Sequence, residues 1–226
     1  NPTGAAYDRA ELQALAEVLK RHPHVRIMSD DIYEHIIYDD FEFFTIAQVD
    51  PELCDRTLTV NGLAKAYAMT GWRVGYAGGP KDIIAAINKV QSQSTTHTSS
   101  ISQAATIEAL NGPQEFMKEW VETFRTRRDL VVEALDGMTG LSCPMPKGAF
   151  YVFPSCAGTI GKKALDGTVI EDDSAFVTAL LEAEGIAAVQ GVAFGLSPHF
   201  RVSYATSTEN LNEAMTRIAR FCDSLS

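Results

Sequence analysis

The sequence predicts an α/β protein, with a large unit first and a smaller α+β unit behind it, and three patterns carry that expectation. A helical period over residues 7–21 leads into a short apolar strand, 25–30, that ends in two acids, Asp30-Asp31. Further strands at 57–60 and 72–77 run into Asn61-Gly62 and Gly78-Gly79-Pro80. Helical stretches then separate these strands from a second set of short strands and a closing amphipathic helix. Strands that alternate with helices and end in polar residues build an open sheet, which places ligands beyond its strand ends.

Each element has its own signal. Leu12, Leu15, Ala16 and Leu19 recur at helical spacing, and Pro23 stops that helix. The runs at 25–30 and 57–60 are rich in apolar or β-branched residues, and Gly78 to Pro80 punctuates the strand at 72–77. Residues 81–93, 100–110 and 113–135 carry apolar side chains every three or four positions, which predicts three helices, the last of them long. After Gly140 come expected strands at 141–143 and 149–153, a Gly- and charge-rich loop at 158–173, and a helix at 174–184. Strands at 186–189 and 201–204 and an amphipathic helix at 209–225 complete the chain. The expected organisation is a partial large domain over 1–112, a connecting long helix over 113–140 and a small domain over 141–226.

Composition limits what such a protein does. With 226 residues, 46% of them hydrophobic and 21% charged, the chain can bury a sizeable core. A formal net charge of −10 with no local Lys/Arg cluster repels a phosphate backbone, so no nucleic-acid partner is expected. No apolar stretch reaches the roughly 20 residues of a membrane span, so no membrane partner is expected and a cytoplasmic location is. Cys54, Cys143, Cys156 and Cys222 lack C-x-x-C spacing and suit reduced thiols, and the five histidines form no metal-ligand pattern. The chain opens on Asn1-Pro2-Thr3-Gly4, a turn that normally joins a preceding strand to a helix, so an upstream segment is expected.

Four side chains stand where chemistry is expected. Lys65 follows a strand among small and apolar neighbours in Asn61-Gly62-Leu63-Ala64-Lys65-Ala66-Tyr67, surroundings that desolvate an amine and favour its neutral, nucleophilic form. By itself such a lysine is more often solvated or snorkelling. One carboxylate of Asp30-Asp31 is expected at the sheet's ligand edge, where it either pairs with a cationic ring nitrogen or caps a helix. Arg73 offers a fork of donors to a phosphate, and Arg201, in Arg201-Val202-Ser203-Tyr204, can clamp a carboxylate. A surface ion pair is the commoner fate of either arginine.

Taken together, these segments resemble a known family. The string from Asn61 to Gly75, with Lys65 followed by Ala68-Met69-Thr70-Gly71-Trp72-Arg73, resembles the lysine motif of subgroup I of the class I/II pyridoxal-phosphate-dependent aminotransferases. Asn1-Pro2-Thr3-Gly4, Asp30-x-x-Tyr33, Gly148-Ala149-Phe150-Tyr151 and Arg201-x-Ser203-Tyr204-Ala205 occur in that family's order. Gln91-Ser92-Gln93-Ser94 and Ala193-Phe194-Gly195-Leu196-Ser197-Pro198 resemble its bacterial aspartate aminotransferase branch. The likeness covers essentially the whole chain.

The resemblance implies part of the fold type I pyridoxal-phosphate transferase fold: a partial large domain with a smaller C-terminal α+β domain. It implies pyridoxal 5′-phosphate as cofactor and EC 2.6.1 chemistry between an amino acid, aspartate first, and a 2-oxo acid such as 2-oxoglutarate. Aromatic or prephenate-type substrates stand behind aspartate. Lys65 is implied as the Schiff-base lysine that shuttles the proton between the substrate α-carbon and cofactor C4′. Asp30 is implied at the pyridine nitrogen, Tyr33 and Asn1 at the phenolic oxygen, Arg73 at the phosphate and Arg201 at the substrate α-carboxylate. No metal is implied, a homodimer is, and the Asn1-Pro2 bond is expected to be cis.

The chain departs from the family's pattern where relatives carry serine hydroxyls just before the lysine. Gly62 and Ala64 stand there, and Gln190 stands where proline is frequent. The relatives' glycine-rich phosphate loop, ring-stacking aromatic and substrate-selecting side chains belong to a segment upstream of these motifs. The expectation is therefore a fragment that exposes a strand edge and apolar surface, binds cofactor weakly and does not transaminate alone. Two other readings stay open from the sequence: a lyase or decarboxylase on the same fold and cofactor, and the aminotransferase-like sensory domain of a transcription regulator.

Overall fold

Asp8 begins the regular structure: its side chain accepts from the Glu11 amide at 2.8 Å, and the Glu11 carboxylate accepts in return from the Asp8 amide at 2.8 Å. This capping box opens α1 (Arg9–Lys20). The computed structural model describes residues 1–226 and divides into two units, residues 6–119 and residues 1–5 with 120–226.

In the unit of residues 6–119, β1 (Ile27–Asp30) pairs in parallel with β2 (Thr57–Gly62), which pairs antiparallel with β3 (Gly75–Gly78). Between β1 and β2 the chain passes through the single turn of α2 (Ile46–Val49) and a 3-10 segment, Pro51–Arg56. Leu12 and Ala16 of α1 pack on Ile46, Val49 and Leu53 to form this unit's core, with Leu19, Ile27 and Phe44 around it. Arg56 closes α1: its guanidinium donates to the Leu19, His22 and Val25 carbonyls at 2.7–2.9 Å, which supplies partners for acceptors a helix end leaves open. α3 (Lys81–Ser92) and α4 (Ser100–Asn111) follow. No residue of α3 is buried, and Val90, Ile101 and Ile107 are 65–72% exposed. The free edge of β1 likewise carries Met28, 70% exposed.

α5 (Phe116–Asp136) carries the chain into the second unit. There β4 (Tyr151–Val152), β5 (Val189–Gln190) and β6 (Phe200–Ser203) form an antiparallel sheet in the order β4-β6-β5. α6 (Asp173–Glu184) and α7 (Thr208–Ser224) close it. Fully buried Phe176 of α6 meets the rings of Phe200 at 4.9 Å and Phe221 at 5.5 Å, tying both helices to β6. Replacing Phe176 with Ala should cost about 3–5 kcal/mol, the range for emptying a buried aromatic site, and the loss should appear as a lower denaturation midpoint of this unit. A midpoint unchanged by the substitution would remove the three-ring contact as the joint of this core.

Four of the expected strands need correction. The run at 72–77 begins as a 3-10 turn, Thr70–Trp72, and Arg73 takes a left-handed backbone with φ 55°, so extended structure starts only at Gly75. At 149–153 only Tyr151 and Val152 are strand, because Ala149 sits at φ 58°, and the run at 141–143 reduces to one bridge from Ser142 to Ser155. At 186–189 only Val189 pairs, with Gln190 extending the strand instead.

Candidate active site

Two clusters of side chains emerge, one in each unit. In the unit of residues 6–119, Asp30 is the last residue of β1 and lies in register with Val60 of β2, and Lys65 leaves the same end of β2 five residues further on. Both residues therefore stand at the carboxyl ends of two adjacent parallel strands, where open α/β sheets hold ligands. The Lys65 turn is tight: the Ala68 amide donates to the Lys65 carbonyl at 3.0 Å, the Met69 amide to the Leu63 carbonyl at 3.2 Å, and Ala68 adopts φ 52°. Leu63 and Ala66 are buried on either side and leave the lysine half-buried. Its ammonium lies 5.8 Å from the centroid of the Tyr33 ring.

The two acids after β1 separate clearly. Asp31 is buried and accepts from the Ser29 hydroxyl at 2.6 Å. Asp30 is exposed, and its contact is with the Ile32 amide at 3.4 Å, a local turn bond and no cap of a following helix. Asp30 is thus the carboxylate presented at the sheet edge without a cationic partner. Asn61, in the β2 terminus, donates to Glu34 at 2.6 Å, and the Tyr67 hydroxyl donates to Gln114 at 3.0 Å. Burial, with the Glu34 charge added, raises both the Tyr67 and the Tyr76 phenols above their usual range, so both stay protonated donors at neutral pH. Arg73 is exposed and gives one hydrogen bond, to the Thr70 carbonyl at 3.0 Å; no acid pairs with it.

The second cluster belongs to residues 1–5 and 120–226. Gly4 accepts from the Lys147 and Gly148 amides at 2.8 and 2.9 Å, which stitches the first residues onto the segment before β4. Gly4 has φ 67°, and a Cβ there would lie 2.9 Å from the Tyr151 carbonyl oxygen, so only glycine allows this approach. The Asn1–Pro2 bond is cis, as expected. Asn1 in this position accepts from an Arg201 terminal nitrogen at 2.8 Å. The Arg201 guanidinium lies 4.7 Å from the Tyr151 ring and 5.0 Å from the Phe194 ring, and no carboxylate pairs with it. A half-buried guanidinium held between two rings keeps a fork of donors for a planar anion.

The residues singled out from the sequence thus fall as Asp30, Tyr33, Lys65 and Arg73 in one unit and Asn1 and Arg201 in the other. Sequence reasoning missed the rings around Arg201. Tyr151 and Phe194 stood inside quoted motifs, but nothing in their spacing announced contact with residue 201. Burial pushes the Cys143, Cys156 and Cys222 thiols up to about 12, so none is a nucleophile at neutral pH. No helix is long and apolar enough to cross a membrane.

The chain matches the family model described as aminotransferase class I and II over residues 1–218. It is 60% identical over 226 residues to the aspartate/prephenate aminotransferase of Cereibacter sphaeroides, covering 100% of this chain and 56% of that relative. The crystal structure of the aspartate aminotransferase from Rhizobium meliloti is 58% identical and superposes with a TM-score of 0.97 over 100% of this chain and 56% of that one. An aromatic aminotransferase from Pyrococcus horikoshii is 37% identical with a TM-score of 0.88, covering 97% of this chain and 56% of that one. The chain spans about half the length of the curated relatives it matches.

Proposed function

The chain belongs to the aminotransferase class I and II family, whose fold it shares, and on that premise we propose that it carries the lysine-bearing part of a pyridoxal 5′-phosphate-dependent aminotransferase. The observation that supports this most is the placing of Lys65 and Asp30 at the carboxyl ends of adjacent parallel strands, with a tyrosine ring under the amine. Members of the family use pyridoxal 5′-phosphate, and the donor set fits that group: an amine for the aldehyde, an unpaired carboxylate for the pyridine nitrogen and an unpaired guanidinium for the phosphate. When bound, the cofactor supplies an electron sink for charge that develops at the substrate α-carbon.

The chain's own residues do the rest. Asp30 would hold a proton on the pyridine nitrogen through a charge-assisted hydrogen bond. Tyr33 and Asn1 would donate toward the phenolic oxygen, and Arg73 would take the phosphate. The Lys65 amine, half-buried and close to its neighbours, removes the proton from the substrate α-carbon as general base. Arg201 grips the substrate α-carboxylate. The substrates we propose are aspartate and a 2-oxo acid such as 2-oxoglutarate, with prephenate-type substrates as the second choice, in a cytoplasmic homodimer.

A half-transamination assay on the full-length protein with a panel of amino acids, read as loss of cofactor absorbance, tests the reading and ranks the donors. Aspartate should give the largest change, and a protein that decarboxylates or eliminates from the same donors without forming the 2-oxo acid would refute transamination. Arg201→Lys should raise the amino-acid KM about 10- to 100-fold, since it removes one charge-assisted hydrogen bond of about 1.5–3 kcal/mol. An unchanged KM would take the α-carboxylate away from Arg201.

A further inference from the structure

To clamp a carboxylate, Arg201 needs its guanidinium held in place. One flanking ring, Tyr151, is fixed by the sheet, because its strand β4 pairs it with Ser203 of β6. The other, Phe194, ends a 3-10 turn, Gly191–Phe194, in a loop whose residues 192–197 are all exposed. The Phe194 ring meets the buried Phe153 ring edge-on at 5.9 Å, so packing holds the ring, but the backbone of an exposed loop of that kind needs a further tie.

What fixes this one is a buried acid. Asp173, the first residue of α6, is 1% exposed. One carboxylate oxygen accepts from the Val192 amide at 2.7 Å and the other from the Ser197 hydroxyl, so a single side chain grips the loop on both sides of Phe194. The bonds do not serve the helix, since Asp172 already caps α6 by accepting from the Ala175 amide at 2.8 Å. No cation neutralises Asp173. Burial acts to raise this carboxyl, but the bonds from Ser197 and the Val192 amide outweigh it and keep it below the usual carboxylate range, so the grip is ionic at neutral pH. The backbone completes the clasp: the Gly191 amide donates to the His199 carbonyl at 2.7 Å and the Leu196 amide to the Gly191 carbonyl at 3.1 Å. A Cβ at Gly191 would lie 2.6 Å from the His199 carbonyl oxygen, so the chain closes this tightly only with glycine there.

We propose that Asp173 is a positioning residue for Arg201: it clasps the 191–197 loop so that Phe194 covers the guanidinium face and its donors stay aimed at a carboxylate. The inference rests on Arg201 being the carboxylate clamp, and the test separates the two. In the full-length holoenzyme, Kd for succinate, a dicarboxylate that cannot be transaminated, and KM and kcat for the amino acid are measured for five variants. Asp173→Ala should weaken succinate and raise KM about 10-fold, the size of one lost charge-assisted bond, while kcat changes less than about 2-fold. Ser197→Ala, which removes one neutral hydroxyl donor and leaves the Val192 bond, should move both in the same direction by about 3-fold. Asp173→Asn keeps one acceptor oxygen and should fall between wild type and Asp173→Ala.

Asp172→Ala removes the cap of the same helix and should lower the thermal midpoint without moving KM or succinate affinity. If it moves them as far as Asp173→Ala does, the effect is helix stability and the positioning role is wrong. Unchanged succinate affinity in both Asp173→Ala and Ser197→Ala, with Arg201→Lys weakening it, also overturns the proposal. If Arg201→Lys leaves succinate affinity unchanged, the clamp reading itself fails.

Discussion

Lys65→Ala in the full-length protein should abolish the change in cofactor absorbance on adding an amino acid and lower turnover by at least about 10²–10⁴-fold, the contribution of a positioned general base. The expectation follows from the local build. The amine stands on a tight turn at the end of β2, half-buried between the buried side chains of Leu63 and Ala66, with the Tyr33 ring 5.8 Å from it. No other lysine shares that strand end, so no neighbour can take over. Lys65 is only half-buried and is not part of the buried core cluster, so stability should change by less than about 1 kcal/mol. Residual spectral change at wild-type amplitude would show that the amine at 65 is not the group that meets the cofactor, and the reading would have to be given up.

The elements of this fold with long hydrophobic periods were legible in the sequence, and the short ones were not. Leu12, Ala16 and Leu19 announce α1, and Leu211, Met215 and Ile218 announce α7, because a buried stripe repeats over several turns. α2 and the 3-10 segment Pro51–Arg56 escaped notice because one or two turns carry no period to read. The overlong strands at 149–153 and 72–77 failed for a different reason: Ala149 and Arg73 are not glycines, yet both take positive φ, a conformation composition does not reveal. The site divides along the same line. Lys65, Asp30 and Arg201 were found through local strings of residues. The ring pair around Arg201 and the Asp173 clasp are long-range contacts, with Tyr151 standing 50 positions from Arg201 and Asp173 24 from Ser197. Such contacts exist only once β4, β6 and α6 have come together.

Asp30→Asn should lower turnover about 10²–10³-fold, the loss typical of removing one preorganised polar group from a site where charge develops, with little change in stability. The adjacent Asp31 makes this a sharp comparison, because the sequence alone does not distinguish the two acids. Asp31 is buried, and the Ser29 hydroxyl donates to it at 2.6 Å, so Asp31→Asn acts on the β1 terminus and should show mainly as a lower thermal midpoint with turnover within a few-fold of wild type. Asp30 is exposed at the strand end with only the Ile32 amide near, so little of the fold depends on its charge. An amide at position 30 keeps the size of the side chain but cannot hold the proton of a pyridine nitrogen by charge, and that isolates the electrostatic role from packing. If Asp31→Asn loses turnover and Asp30→Asn does not, the ring nitrogen belongs to the buried acid. The register of β1 against β2 would then have to place position 31, not 30, at the ligand edge.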